Sequence, residues 1–141
     1  MPAGRPSDYT PEMADEICQR LADGESLRSI CLGDGMPRQS TVFRWLAARE
    51  EFREQYVRAR EAQAEYLADQ IIEIADDSAN DYEMTEDGPR VNHEIVARSR
   101  LRVDARKWVA SKLKPKVYGD KIEHEHGGKV SIFATALDES L

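Results

Sequence analysis

The feature that most constrains this chain is a long apolar stripe of helical period between residues 50 and 75. Apolar side chains recur there mostly three, four or seven residues apart, as on one face of an α-helix. The chain has 141 residues, of which 40% are hydrophobic and 33% are charged. A domain of this size does not cover such a stripe alone, so we expect partner helices from this chain or from other copies. The stripe consists of Phe52, Tyr56, Ala59, Tyr66, Leu67, Ile71 and Ile74.

Charge is segregated along the chain, although the net charge is only −7. Residues 61–94 contain eleven acidic residues and one basic residue, whereas residues 95–121 contain nine basic and two acidic residues. An acidic chain is a poor general coat for DNA, but it leaves room for a local DNA-reading surface. The adjoining blocks predict charge pairing within one chain or between copies, with two solvated helix faces as the alternative.

Residues 10–49 predict three short helices. Thr10 followed by Pro11 is typical of a helix start, and Ser26 is placed to cap a second helix. A glycine-rich turn over residues 33–37 precedes a third helix over 39–48, whose apolar face includes Trp45. Two helices joined by a glycine-containing turn indicate a helix-turn-helix, in which the last helix enters the major groove of DNA.

The third helix carries the side chains that such a groove contact requires. Arginine pairs with guanine and glutamine with adenine, whereas serine and threonine suit phosphates or cap the helix. An arginine between glycine and proline in an N-terminal arm suits a narrow minor groove. A solvated helix face and an inert arm are the alternatives. The candidates are Arg38, Gln39, Ser40, Thr41 and Arg44 in the groove, Arg28 and Arg49 on the DNA backbone, and Arg5 in the arm.

The second half of the chain alternates between helical and extended patterns. Residues 76–93 interrupt the helical period and predict a hairpin or a loop. A further helix over residues 94–113 ends before Pro115. Residues 121–126 and 129–134 then predict two short strands, which need additional strands to be stable in water.

Signals for catalysis or cofactor binding are weak. Glu123, His124, Glu125 and His126 are of ligand type, but a strand would place the two histidines on one face and the glutamates on the other. The sequence contains neither a phosphate-binding glycine loop nor a nucleophile triad. We therefore expect no enzymatic activity, no metal and no cofactor, and a metal-dependent nuclease is disfavoured. Without a signal-peptide core or an apolar run of membrane length, the chain is expected to be soluble and intracellular, with Cys18 and Cys31 as reduced core thiols.

Four segments taken together point to a known family. They are Gly4-Arg5-Pro6-Ser7-Asp8-Tyr9, Ser40-Thr41-Val42-Phe43-Arg44-Trp45-Leu46, Arg100-Leu101-Arg102-Val103-Asp104-Ala105-Arg106-Lys107-Trp108 and Tyr118-Gly119-Asp120-Lys121. In this order they resemble the small terminase subunit of tailed bacteriophages, of the Shigella-phage type. Residues 77–93 depart from the pattern, because they form a longer connection than in the shortest relatives.

The resemblance implies a mainly α fold with a long helical hairpin as the oligomerisation core and a C-terminal β-hairpin in an intersubunit β-barrel. The implied domains are a flexible arm (1–9), a helix-turn-helix domain (10–49), the helical core (50–114, with the insertion 77–93), the β-hairpin (115–135) and a flexible tail (136–141). Truncation after residue 48 is then expected to leave a folded three-helix unit. The implied oligomerisation residues are Phe52, Tyr56, Tyr66, Leu67, Ile71, Ile74, Trp108, Ile122 and Ile132.

The resemblance also implies a role in viral genome packaging. Such subunits form rings, here of roughly 8–11 copies, bind the packaging-start region of double-stranded viral DNA and regulate a large terminase subunit that holds the ATPase and nuclease. Contact with that subunit is expected through the C-terminal region. The implied location is the host cytoplasm, with no place in the mature virion. A dimeric helix-turn-helix transcriptional regulator or a transposase-associated protein is the alternative.

Overall fold

The computed structural model describes residues 5–120, which form a mainly helical chain with one β-hairpin. This confirms the predicted fold class. The first five helices begin and end within a residue or two of the predicted positions. A short sixth helix over residues 115–118 is not predicted and corrects the start of the β-hairpin segment assigned to 115–135, because Pro115 suits the first turn of a helix. In chain order the elements are α1 (Pro11–Ala22), α2 (Leu27–Cys31), α3 (Gln39–Ala48), α4 (Glu50–Asp76), β1 (Tyr82–Thr85), β2 (Gly88–Val91), α5 (His93–Leu113) and α6 (Pro115–Tyr118).

Local capping determines where the first two helices begin. The Thr10 hydroxyl accepts a hydrogen bond from the Met13 amide, and Pro11 occupies the first turn of α1. The Ser26 hydroxyl accepts from the Ser29 amide in the same way. These contacts satisfy amides that the helix itself leaves without partners, so the predicted caps are confirmed.

The main core lies among α1, α2, α3 and the first half of α4. Cys18, Cys31 and Trp45 are buried in it, and both cysteines are free thiols, as predicted. Phe52 and Ala59 of α4 belong to the same core. The N-terminal unit therefore extends beyond the predicted boundary at residue 49. Phe52 is fully buried within one chain, which corrects its assignment as an oligomerisation residue.

The second half of the predicted arm packs against the helices. The Tyr9 ring makes edge contacts with Trp45 and Phe52, with centroid distances of 5.6 and 5.8 Å. Arg5 Nη1 donates to the Cys31 carbonyl at 2.8 Å. Residues 5–9 are thus part of the packed unit rather than a free arm, because the Tyr9 ring and the Arg5 guanidinium both contact the helices.

α4 and α5 run antiparallel, as two lateral contacts show. Arg106 Nε donates to Gln70 Oε1 at 2.9 Å, and further along α5 the Lys114 ammonium lies 2.7 Å from Glu65 Oε1. The Tyr118 hydroxyl of α6 donates to the other oxygen of Glu65 at 2.6 Å. These two donors hold the pKa of Glu65 below its ordinary value.

The predicted hairpin insertion is present between α4 and α5. β1 and β2 pair antiparallel, with Tyr82 opposite Val91 and Thr85 opposite Gly88, whose φ is +107°. Gly88 directly follows the two turn residues, Glu86 and Asp87, and its positive φ lies in the left-handed region that glycine adopts most readily. The predicted C-terminal strands, with Ile122, Ile132 and the residues between Glu123 and His126, lie outside the described residues, as does the tail 136–141. No described helix is both long and apolar enough to cross a membrane.

Candidate nucleic-acid interface

One face of α3 is buried and the opposite face is open to solvent. Val42 and Trp45 are buried, with 0% and 4% of their surface exposed, so they attach the helix to the core. Ser40 and Arg44 are exposed and lie four residues apart on the outer face. Arg38 directly precedes the helix and is also exposed. The outer face therefore offers two guanidinium groups and a hydroxyl at the start of one helix.

The sequence of this face lacks negative charge. Residues 35–49 contain Arg38, Arg44 and Arg49 and no acidic residue. Among the described residues, neither Arg38 nor Arg44 forms an ion pair. Unpaired guanidinium groups on a narrow convex element are what phosphate and guanine contacts require.

Thr41 and Gln39 contribute less to this face than predicted. Only 8% of Thr41 is exposed, so its side chain is turned inward and is not free for a phosphate. Gln39 is half-buried. Arg38 stands at the N-cap position without a side-chain hydrogen bond, which corrects the prediction that Ser40 or Thr41 caps the helix. Both lie within the first turn, past the position from which a hydroxyl caps.

Phe43 is a member of the exposed face that the sequence pattern does not single out. Its exposed fraction is 54%, and it lies beside Arg44 and three residues after Ser40. The exposure of a large aromatic ring between polar residues is informative, because such rings are usually covered. A signal was available in the sequence, since Phe43 falls off the stripe of Val42, Trp45 and Leu46.

The segment before α1 joins the predicted arm residue to α3. Arg44 Nη2 donates to the Ser7 carbonyl at 3.2 Å, and Arg5 donates to Cys31 at the end of α2. The segment that contains Arg5 thus contacts α3 through Arg44 and contacts the end of α2 through Cys31. Arg28 lies apart on α2 and is exposed.

Arg49 lies at the junction of α3 and α4 rather than on the outer face. Its guanidinium carbon is 4.1 Å from the centre of the Tyr9 ring, and Nη1 is 3.5 Å from a carboxylate oxygen of Glu51. Burial raises the pKa of the Tyr9 hydroxyl and Glu51 adds to the rise, while Arg49 opposes it. Arg49 therefore already has two partners within the chain.

A second basic surface lies on α5. Its residues near Arg98, Arg102 and Arg106 are the alternative DNA contact, for DNA that passes through the centre of a ring. Arg98, Arg100 and Arg102 are exposed and form no ion pair among the described residues. Arg106 differs, because it is half-buried and donates to Gln70 and to the Arg102 carbonyl. Lys107 and Lys112 are exposed further along α5, so basic side chains occur along most of that helix.

Comparison with known proteins gives this arrangement a family. Residues 9–125 match the family described as "Bacteriophage Sf6, terminase small subunit-like". The chain belongs to this family. The matched residues include α3 and the α4–α5 hairpin, so the family assignment covers both candidate surfaces, and the predicted resemblance is confirmed.

Solved structures agree with the assignment, and a bacterial protein is also similar to this chain. Two crystal structures of substituted forms of terminase small subunit gp1 of the bacterial virus sf6 are 47% identical, cover 85% of this chain and 84% of that chain, and have a TM-score of 0.68. The Escherichia coli protein named "Uncharacterized protein YffO" is 31% identical over 120 residues, which are 83% of this chain and 81% of that protein. As a member of the family, this chain is a packaging-related small terminase.

Proposed function

We propose that this protein recognises the packaging-start region of double-stranded viral DNA through the outer face of α3. The observation that carries the proposal is the pair Arg38 and Arg44, which are exposed and form no ion pair among the described residues, on a helix that Val42 and Trp45 attach to the core. Arg28 is exposed on α2 and is proposed to contact the DNA backbone, whereas Arg5 is held on the Cys31 carbonyl and Arg49 lies at the junction with Tyr9. The protein carries out no reaction itself in this proposal and regulates a separate large subunit that holds the ATPase and nuclease.

The experiment compares two charge-matched double variants of the full chain. Arg38→Ala with Arg44→Ala removes two positive charges from α3, and Arg98→Ala with Arg102→Ala removes two from α5. Binding is measured at one stated salt concentration to fragments that tile the packaging-start region and to unrelated DNA of equal length. We expect the α3 variant to lose about 1–3 kcal/mol for each arginine that reads a base, together with its sequence preference.

The control outcome separates the two basic surfaces. The α5 variant is expected to retain the preference for packaging-start DNA, with at most a uniform loss of affinity. Both variants are compared only where native mass shows that the assembly is intact. If such an α5 variant loses binding while the α3 variant keeps it, DNA contacts α5 and the assignment to α3 is wrong.

We also propose that copies assemble through the outer faces of α4 and α5. Within one chain α5 buries only Ala110, while Leu101 and Trp108 on its outer face are 57% and 63% exposed. Among the predicted oligomerisation residues that the structure describes, only Trp108 retains that role in this proposal, and Ile122 and Ile132 lie outside the described residues. Tyr56 and Tyr66 face the N-terminal unit, and Leu67, Ile71 and Ile74 are half-buried on the α5 side of α4.

Charge complementarity supports a head-to-tail contact between copies. α4 carries the exposed carboxylates of Glu61, Asp69, Glu73 and Asp76, whereas exposed basic residues of α5 flank its apolar stripe. Among the described residues, the only ion pair between the two helices is Glu65 with Lys114. Most of these charges are therefore free to pair with a neighbouring copy, and contacts between unlike faces close into a ring. The large subunit is proposed to bind the C-terminal region, in the host cytoplasm and before the virion matures.

A further inference from the structure

The three-helix unit (residues 11–48) is attached to α4 at a first anchor near the start of that helix. Arg49 alone connects α3 to α4. Arg53 Nη1 donates to the Leu46 and Ala47 carbonyls at 2.9 and 3.0 Å, and thereby caps the end of α3. Phe52 packs against Trp45, with 6.3 Å between ring centres. A single anchor of this kind would leave the unit free to pivot about the short connection.

A second anchor lies further along α4, at Gln63. Its Nε2 donates to the Glu25 carbonyl in the α1–α2 turn at 2.8 Å, and its Oε1 accepts from Arg60 Nη1 at 2.7 Å. Only 3% of Gln63 is exposed. A buried amide that loses such partners is costly, so this contact resists opening.

Tyr66 completes the second anchor through its ring. A Cβ atom built on Gly24 would clash with Tyr66 Cε1, so the ring rests directly on the glycine backbone. Gly24 has a φ of +98°, in the left-handed region that favours glycine. The turn itself is braced, because Arg20 donates twice to the Glu25 carboxylate at 2.8 and 2.7 Å.

The two anchors are about 16 Å apart along α4, since Phe52 and Gln63 are separated by eleven residues at a rise of about 1.5 Å each. We propose that Gln63 and Tyr66 are positioning residues that fix the direction in which α3 faces relative to the α4–α5 hairpin. This inference rests on the proposed role of α3 in DNA binding. In an assembly, copies of α3 that are all held in one direction are pre-organised for binding DNA. Pre-organisation raises the DNA affinity of the assembly without any new contact.

The first test measures how rigidly the three-helix unit is attached to α4, without DNA. Spin labels are placed at Glu16→Cys on α1 and Glu94→Cys on α5, both exposed, while the native thiols are buried. Labelled chains are diluted into unlabelled full-length protein, so that only distances within one chain are recorded. We expect one narrow distance distribution, which broadens by about twofold or more in the Gln63→Ala, Tyr66→Ala and double variants as the unit gains freedom to pivot.

Tyr66→Phe is the matched control, because it keeps the ring on Gly24 and loses only the hydroxyl that accepts from Gln70. It is expected to retain the narrow distribution. Circular dichroism identifies which alanine variants keep their helix content. If the double variant does not fold, the two single variants provide the test. A narrow distribution in folded alanine variants would overturn the proposal, as would a broad one in the unsubstituted protein.

The second test measures DNA affinity and native mass on the same variants without labels. The double alanine variant is expected to keep the native mass and to bind packaging-start DNA about tenfold more weakly, with affinity restored in Tyr66→Phe. Equal affinity in the double variant and the unsubstituted protein would contradict the positioning role. If the unsubstituted protein shows the narrow distance distribution but no preference for packaging-start DNA, the proposed function of α3 is wrong. The rigid attachment of the three-helix unit to α4 is then still supported.

Discussion

At the residue scale, burial changes the chemistry of Cys18 more than any sequence neighbour does. The thiol is 6% exposed in the core of the N-terminal unit. Burial raises its pKa to about 11, Asp15 adds to the rise and Arg58 opposes it. A thiolate is the reactive form of cysteine, so the native protein is protected from alkylation and disulfide exchange at this position.

This shift predicts a specific pH dependence of stability. Between pH 9 and 11 the unfolded chain releases a proton from Cys18 that the folded chain keeps, so the free energy of unfolding falls as pH rises through that window. Well below pH 9 the Cys18 thiol is protonated in both states, so it does not make the free energy of unfolding depend on pH. The difference between the full chain and Cys18→Ala, measured by urea unfolding, is expected to change by at most about 2–3 kcal/mol across the window. Parallel profiles for the two proteins would show that the thiol is not buried as described.

At the element scale, α4 belongs to two parts of the molecule at once. Its first half supplies Phe52 and Ala59 to the core of the N-terminal unit, and its second half packs against α5. One helix of about 40 Å therefore links the proposed DNA reader to the proposed assembly surface without an intervening flexible segment.

The shared role of α4 predicts the result of truncation. A fragment ending at Ala48 is expected to be unfolded, because it lacks Phe52 and leaves the Trp45 and Tyr9 rings uncovered. A fragment ending at Gln70 retains both anchors and is expected to fold cooperatively, as followed by circular dichroism on heating. In the full chain Phe52→Ala is expected to lower the free energy of unfolding by about 3–5 kcal/mol. If the fragment ending at Ala48 unfolds as cooperatively as the fragment ending at Gln70, the predicted domain boundary at residue 49 is correct.

At the scale of the whole molecule, the segregated charges predict assembly that depends on salt. Screening shortens the reach of surface charges from about 10 Å at 0.1 M salt to about 3 Å at 1 M. Native mass is therefore expected to shift toward smaller species as salt rises, while Leu101→Ala with Trp108→Ala weakens assembly at both concentrations. A mass that is unchanged by salt would mean that apolar contacts alone hold the copies together. A dimer at every concentration would favour the transcriptional-regulator alternative.

The sequence by itself determined the helices and their order, because capping and period act over a few residues. Thr10 and Ser26 cap their helices through amides three positions away. Trp45 was placed in the core by its spacing from Val42 and Leu46 alone. The insertion before α5 was recognisable from its turn residues and alternation. The family was also readable, since ordered segments along most of the chain carry it.

Tertiary structure decided which partner each face receives. Period shows that Phe52 and Tyr66 lie on an apolar face, but not whether another copy or the N-terminal unit covers it. That choice depends on the path of the chain, which brings the α1–α2 turn onto α4 thirty-eight residues away in the contact between Glu25 and Gln63. Arg44 likewise meets Ser7 only after folding. Local rules specify elements, whereas long-range packing specifies their neighbours, because burial rewards whichever apolar surfaces the fold brings together.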